Sequence, residues 1–312
     1  MKKMINKTHI EGTLYEIVES KVAPSKKDPT NQYARGTIAI EVTEDNITEW
    51  DFLVMEYTTN KQTQVRTKNA NFALILNVLS SPTVVKDGRE FAASIKVDSA
   101  LDLNDFYSIR NNEAAFKLRS FGGFNHLVAS PNPSSTFEVD MLITSTTEEL
   151  KKDVDGVQMP TGSLFLNGLI FNYKKEAMPV KFLIENANGI KYFAALPANT
   201  FTKVWGNMKT QVETTTVTEE SAFGEAKVVD YTQTRKKYIV TGVSKIPYEF
   251  GEDSVLTVDE VSKALAARNV KLETIKADTI QREANKAQEA PAAAPSILTT
   301  PGATPAATTF NF

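Results

Sequence analysis

The chain has 312 residues, 41% of them apolar and 23% charged, with a net charge of −3 and no cysteine. That length and apolar content suit two domains with real cores, and the near-balance of charge excludes a global basic field, so any nucleic-acid binding needs a local patch. The missing cysteines exclude disulfides, thiolate zinc sites and thiol catalysis; no apolar run reaches the ~18 residues of a membrane span, and "MKKMINKTHIEG" at the start has no signal-like apolar segment, so a soluble intracellular protein is expected.

From the N-terminus, short segments alternate apolar and polar residues, with Gly, Pro, Asn and Asp clusters between them. "HIEGTLYEIV" (His9–Val18) is the first such strand, and its alternation breaks at Ile17, as at a bulge. Arg35–Val42 and Glu49–Tyr57 follow as second and third strands, joined by the turn-like "TEDN". Asn60–Asn71, "NKQTQVRTKNAN", is a polar loop carrying Lys61, Arg66 and Lys68. Phe72–Ser80, "FALILNVLS", has helical spacing at Phe72, Ile75, Leu76 and Leu79. "EFAASIKVDSALDLNDFYS" returns to strand. Three strands, a short helix and further strands make the order of a small Greek-key barrel, the OB-fold.

A second unit repeats that order with "TFEVDMLIT", a charged loop "EELKKDVDGVQMPTG", then "SLFLNGLIFNY", "AMPVKFLIEN" and "IKYFAALPA", and is closed by the late strand "RKKYIVTGVSK". "HIEGTLYEI" and "LFLNGLIFNY" share a polar-Gly-apolar core, which fits an internal duplication and fits chance equally. Thr257 and Glu260 form a capping-box pattern. It opens a helix to about Gln288, with Val258, Val261, Leu265, Leu272 and Ile275 along its stripe. From Ala290 the chain is rich in Ala, Pro and Thr without charge, the composition of a disordered tail. The expected architecture is mainly β: two OB-like Greek-key barrel units (1–145 and 146–250), a C-terminal α-helix (251–289) and a disordered tail (290–312).

Motifs for catalysis are missing. There is no phosphate-cradling Gly-rich loop, no His-Glu-x-x-His and no Gly-x-Ser-x-Gly elbow. His9 and His126 are the only histidines and lie far apart in sequence. Asp98, Asp102 and Asp105 are able to hold a divalent ion or act as acid and base. Capping of turns and of a short helical piece around Leu101–Phe106 is the plainer role. No enzyme activity, cofactor or metal is expected.

Sequence-independent binding of single strands needs aromatic faces beside cations on one surface. Four segments offer this. In "FKLRSFGGFNHLV" (Phe116–Val128), strand alternation sends Phe116 and Leu118 to the core and Lys117, Arg119 and Phe121 outward. Gly122-Gly123 shapes the edge, and Phe124 continues beyond it. "FTKVWGNMKT" puts Lys203 and Trp205 on one face, either as a base platform or with the tryptophan in the core. "TQTRKKYIVTG" holds Arg235, Lys236, Lys237 and Tyr238, the densest basic run. Arg66 and Lys68 occupy the basic loop. Trp50 and Phe52 face a groove or the core, with the core preferred for one of them.

"NKTHIEGTLYE", "IKVDSALDLNDFYS", "FTKVWGNM" and "EESAFGEA" resemble bacteriophage-type single-stranded DNA-binding proteins, over roughly residues 5–275. The resemblance implies an OB-fold protein that coats single-stranded DNA in phage replication or recombination, in the cytoplasm of a bacterial host. Bacterial proteins of this function end in an acidic tail with a hydrophobic tip that recruits partner enzymes. Here the tip is present as Phe310 and Phe312, but the acidic approach is not. Recruitment of replication or recombination proteins through those residues is therefore an expectation beside that of an unselective end. Two other readings remain: a structural or assembly protein of a virus, and an inhibitor binding a host protein through its acidic surface.

Overall fold

A computed structural model describes residues 4–60, 62–152, 157–219, 227–250 and 256–289. The first set of strands is β1 (Asn6–Pro24), β2 (Gln32–Thr43) and β3 (Asn46–Met55), a meander. A small ribbon of β4 (Tyr57–Thr59) and β5 (Arg66–Lys68) follows. Then come α1 (Ala70–Leu79), α2 (Val84–Asp87), β6 (Ser94–Ser108) and β7 (Glu113–Val128). β1 pairs antiparallel with β2 and β6, and β6 with β7. A parallel contact between β3 and β7 at Trp50 and Ser120 closes the ring. The closed order β1-β2-β3-β7-β6, with a helix after the third strand, is that of an OB barrel. α1 starts where the Asn69 side chain accepts the Asn71 N–H, and it buries Phe72, Ile75 and Val78 at three-residue spacing.

The second set is β8 (Ser134–Lys152), β9 (Gln158–Phe171), β10 (Ala177–Ile184), α3 (Ala187–Ala195), β11 (Thr200–Glu219) and β12 (Lys227–Val243). Its ring runs β8-β9-β10-β12-β11 and back to β8, closed by a parallel contact of Leu183 with Ile239. The order matches the first barrel, so the repeat is one of topology. The shared glycine motif does not carry it: Gly12 lies in β1, the first strand of its barrel, whereas Gly168 lies in β9, a second strand. One local expectation is corrected. The charged "loop" is largely hairpin, because Glu148–Lys152 pairs with Gln158–Leu164. "IKYFAALPA", which follows the third strand of this set, is mostly helix α3, capped by Asn186, with Phe193 buried. The strand sets meet between Val128 and Ser134, so the expected boundary at 145 falls inside β8.

β1 joins the two barrels. Asn6–Glu11 pairs along one edge with β8, while Thr8–Thr13 pairs along the other with β6. One apolar core therefore runs through both, from Ile10, Ile38 and Trp50 to Phe137, Phe182 and Tyr238. Trp50 and Phe52 are both in it, 1% and 2% exposed, and fully burying a Phe-sized ring contributes roughly 1.5–3 kcal/mol.

The helix α4 (Val258–Glu289) begins with the anticipated capping box: the Glu260 N–H donates to Thr257 Oγ1 at 3.2 Å, and the Thr257 N–H to Glu260 Oε2 at 3.0 Å. It packs on its own barrels. Leu256 and Val261 meet Phe171 and Phe201. Arg268 donates to both carboxylate oxygens of Asp105, at 2.7 and 3.3 Å, and to the Ala177 carbonyl at the start of β10. Among the described residues no helix is long and apolar enough to cross a membrane.

Candidate nucleic-acid interface

Strand alternation along β7 sets Phe116, Leu118 and Ser120 against Lys117, Arg119 and Phe121. Ser120 is buried and Leu118 packs on the core. Phe116 corrects the expectation: it is 48% exposed. It pairs with Asp105 near the β6–β7 hairpin, at the barrel rim, and its ring lies 5.8 Å from the Arg268 guanidinium. On the other face Lys117 meets Glu49 at 3.6 Å. Arg119 bonds Asp51 and Asp102, each at 3.2 Å, and stacks 4.3 Å over the Phe121 ring.

Gly122 and Gly123 form a β-bulge. Phe121 pairs with Ala100 and Phe124 with Asp98, so two glycines oppose the single Ser99. Residues three apart in a regular strand face opposite sides; the extra residue brings Phe124 back to the side of Phe121. Both glycines have positive φ, 67° and 83°. A Cβ on Gly123 would sit 2.0 Å from the Asp98 carbonyl oxygen, while one on Gly122 would meet nothing within 4 Å. The Gly122 carbonyl accepts the Trp50 indole N–H at 2.8 Å, locking the bulge to the core. Gly122→Ala is expected to cost about 1–2 kcal/mol, the cost of a left-handed non-glycine residue. Gly123→Ala should cost clearly more, because backbone must move as well. Urea denaturation of the two variants compares them, and equal costs would mean that the bulge shifts freely.

The bulge lines a cleft of about 1030 Å³ between the barrels. Phe121 and Phe124 come from β7, Lys203 and Trp205 from β11, Lys7 from β1, and Tyr173 from the turn after β9. Trp205 is 39% exposed, Phe124 61% and Tyr173 81%. A second bulge seats the tryptophan: Trp205 pairs with Gly242 and Gly206 with Val240, leaving Thr241 extra. A Cβ on Gly242 would lie 2.4 Å from the indole, so the ring rests directly on the backbone there. Trp205 is thus a half-open platform, and Trp50 is the core tryptophan. Charge in the cleft is largely spent. Lys203 bonds Glu138 at 2.9 Å and His9 bonds Asp98 at 2.7 Å. Lys7 is exposed and has no ion pair among the described residues.

The structure thus brings Phe121, Phe124, Lys203 and Trp205 together, with Arg119 behind Phe121. Other candidates lie elsewhere. Arg66 stacks on Tyr57 at 4.3 Å and donates to the Thr30 carbonyl and hydroxyl, so it pins the β4–β5 ribbon, which also carries Lys68. Lys236 donates to Glu49 at 2.6 Å, and Lys237 lines a separate depression with Lys209. Tyr238 is corrected to the core, between Phe137 and Phe182. Burial, then the Asp51 and Glu49 charges, push its hydroxyl above its usual pKa, and it donates to the Leu118 carbonyl. The Arg235 side chain, Lys61, Phe310 and Phe312 lie outside the described residues.

Asp98, Asp102 and Asp105 sit on strand β6 rather than at a helical piece, and each has a cationic or histidine partner: His9, Arg119, and Arg268 with Lys271. Sequence reasoning missed Tyr173 and Lys7. "NYKK" (Asn172–Lys175) carries the same aromatic-beside-cation signal as the chosen segments. Lys7 has none, because only the sharing of β1 brings it to the cleft.

No curated protein matches the chain. Among solved structures, the wild-type single-stranded DNA binding protein from Thermus aquaticus is similar at 9% identity, with a TM-score of 0.44 over 80% of this chain and 98% of that one. A deletion mutant of the same protein is similar at 10% identity, with a TM-score of 0.43 over 81% and 100%. Residues 4–278 match the YorF family, and the chain belongs to that family.

Proposed function

We propose that the inter-barrel cleft binds single-stranded DNA without sequence preference. Bases stack on Trp205, Phe121, Phe124 and Tyr173, and phosphates meet Lys7 and Lys203. One observation carries this reading: four aromatic side chains from both barrels open onto a single cleft. Rings held half in water gain when a base covers them, by about 1–3 kcal/mol per base. Such binding suits protection of single strands in phage DNA replication or recombination, the role that the sequence resemblance implies.

Stacking outweighs charge here, because Lys203 and Arg119 already have carboxylate partners. The affinity should therefore fall only gently with salt. Each phosphate contact contributes a slope of about −0.7 in log K against log salt, so one to three contacts give about −0.7 to −2. Anisotropy of fluorescein-labelled (dT)20 titrated at several salt concentrations measures it. No binding at low salt overturns the proposal, and a slope steeper than about −5 moves binding from the cleft to the basic runs.

A further inference from the structure

We infer that a second, cationic pocket holds a backbone phosphate of the strand that occupies the aromatic cleft. This rests on the function proposed above and extends it to a site of different chemistry. The pocket, about 360 Å³, lies between the barrels and is lined by Lys117, Lys181, Lys236, Glu49, Phe116 and Val180 among others. It sits at the far end of the seam that begins at the cleft. Residues 121–124 of β7 and Thr241 of β12 line the cleft, whereas residues 116–118 and Lys236 line the pocket. Between them the seam is filled: the Tyr238 hydroxyl donates to the Leu118 carbonyl at 3.3 Å, and the Ser120 hydroxyl to Met208 Sδ at 3.5 Å. At ~3.3 Å per strand residue, Lys117 and Phe124 are about 23 Å apart along β7. That span is within reach of a strand filling OB units, which take roughly 4–16 nucleotides each.

The charges in the pocket do not balance. Lys236 and Lys117 share one oxygen of Glu49, at 2.6 and 3.6 Å. The Lys181 ammonium lies over the Phe165 ring, 3.7 Å away, and has no ion pair among the described residues. Two ammonium groups thus share one carboxylate, and a third lysine, Lys181, lines the same pocket. Burial pushes the Glu49 carboxyl up, but the hydrogen bond and charge of Lys236, with Lys117, outweigh it and hold the group below its usual range. Glu49 therefore stays ionised and keeps two lysines oriented. Two lysines on one carboxylate leave an excess of positive charge, with Lys181 lining the same concavity, and lysine binds phosphate as a point charge. Phe116, half exposed beside the lysines, offers a ring to the adjoining base. A phosphodiester with its base fits both features, and among the described residues no carboxylate beyond Glu49 lines this pocket.

The test compares two double variants that remove equal charge. Lys117→Ala with Lys181→Ala empties the pocket of two exposed lysines; Lys86→Ala with Lys263→Ala removes two from α2 and α4, outside both sites. With labelled (dT)20, the first pair should make the slope of log K against log salt shallower by about 0.7–1.4. The second pair should leave it as in the wild type. An unchanged slope in the first pair, or an equal change in both, overturns the pocket while leaving the cleft standing. Failure of the wild-type protein to bind (dT)20 removes the cleft reading and the pocket with it. Circular dichroism melts of both variants establish that they are folded.

Discussion

Trp205→Ala should weaken binding of (dT)20 by about 1–3 kcal/mol, a loss of tenfold or more over most of that range. The ring is half open and rests on Gly242, so its removal leaves no closed cavity and should lower stability by only about 1–2 kcal/mol. The protein supplies its own reporter. It has two tryptophans, and Trp50 is buried with its indole N–H bonded to Gly122. A base stacking on Trp205 should quench that residue's share of the emission. Trp205→Phe keeps a stacking face, so it should bind nearly as well but lose the quenching. Unchanged binding by Trp205→Ala would exclude the cleft as the site.

The second large effect concerns stability. Arg268 and Asp105 form a bidentate pair whose side chains are 8% and 2% exposed. Removing one partner of a buried pair typically costs about 3–5 kcal/mol, because the other charge is left without compensation. Asp105→Ala should show that full loss in urea denaturation. Arg268→Ala should lose less, because Lys271 still reaches Asp105 at 3.1 Å. Replacing both, as Asp105→Leu with Arg268→Met, should recover most of the stability, since apolar pairs of similar volume often match buried ion pairs. A double variant as unstable as Asp105→Ala would show that the pair acts through geometry rather than charge compensation. The Arg268 contact to the Ala177 carbonyl makes this arginine a tie between the two barrels as well as a clasp for α4.

Local signals in the sequence reached the elements they govern. Alternation marked the meander, helical spacing marked α1 although Val78 rather than Leu76 is buried there, and Thr257 with Glu260 marked the start of α4. Alternation also named the faces of β7 correctly around Leu118 and Arg119. It failed at Phe116, because periodicity states which side a residue faces and not whether the strand has already passed the barrel rim. It failed at Tyr238 for a related reason. Lys236, Tyr238 and Val240 share a face that goes from rim to core within three positions, and the flanking lysines made the tyrosine look exposed. The cleft was legible only in parts. Phe121 with Trp205 could be proposed segment by segment, but their meeting depends on two bulges and a shared strand. Lys7 and Tyr173 join it through tertiary placement alone.

The sharing of β1 has a consequence for the order in which the chain is made. When residues up to Val128 have emerged during synthesis, every strand of the first ring exists and can close. Yet the edge formed by Asn6–Glu11 still lacks its partner, because Ser134–Val139 has not been made. For that interval the nascent chain presents a bare row of backbone donors and acceptors, the kind of edge that invites pairing with another copy. The arrival of β8 removes the hazard, and with it the independence of the first ring. The two rings repeat one another in topology, but a fragment cut between them would carry an unfinished sheet.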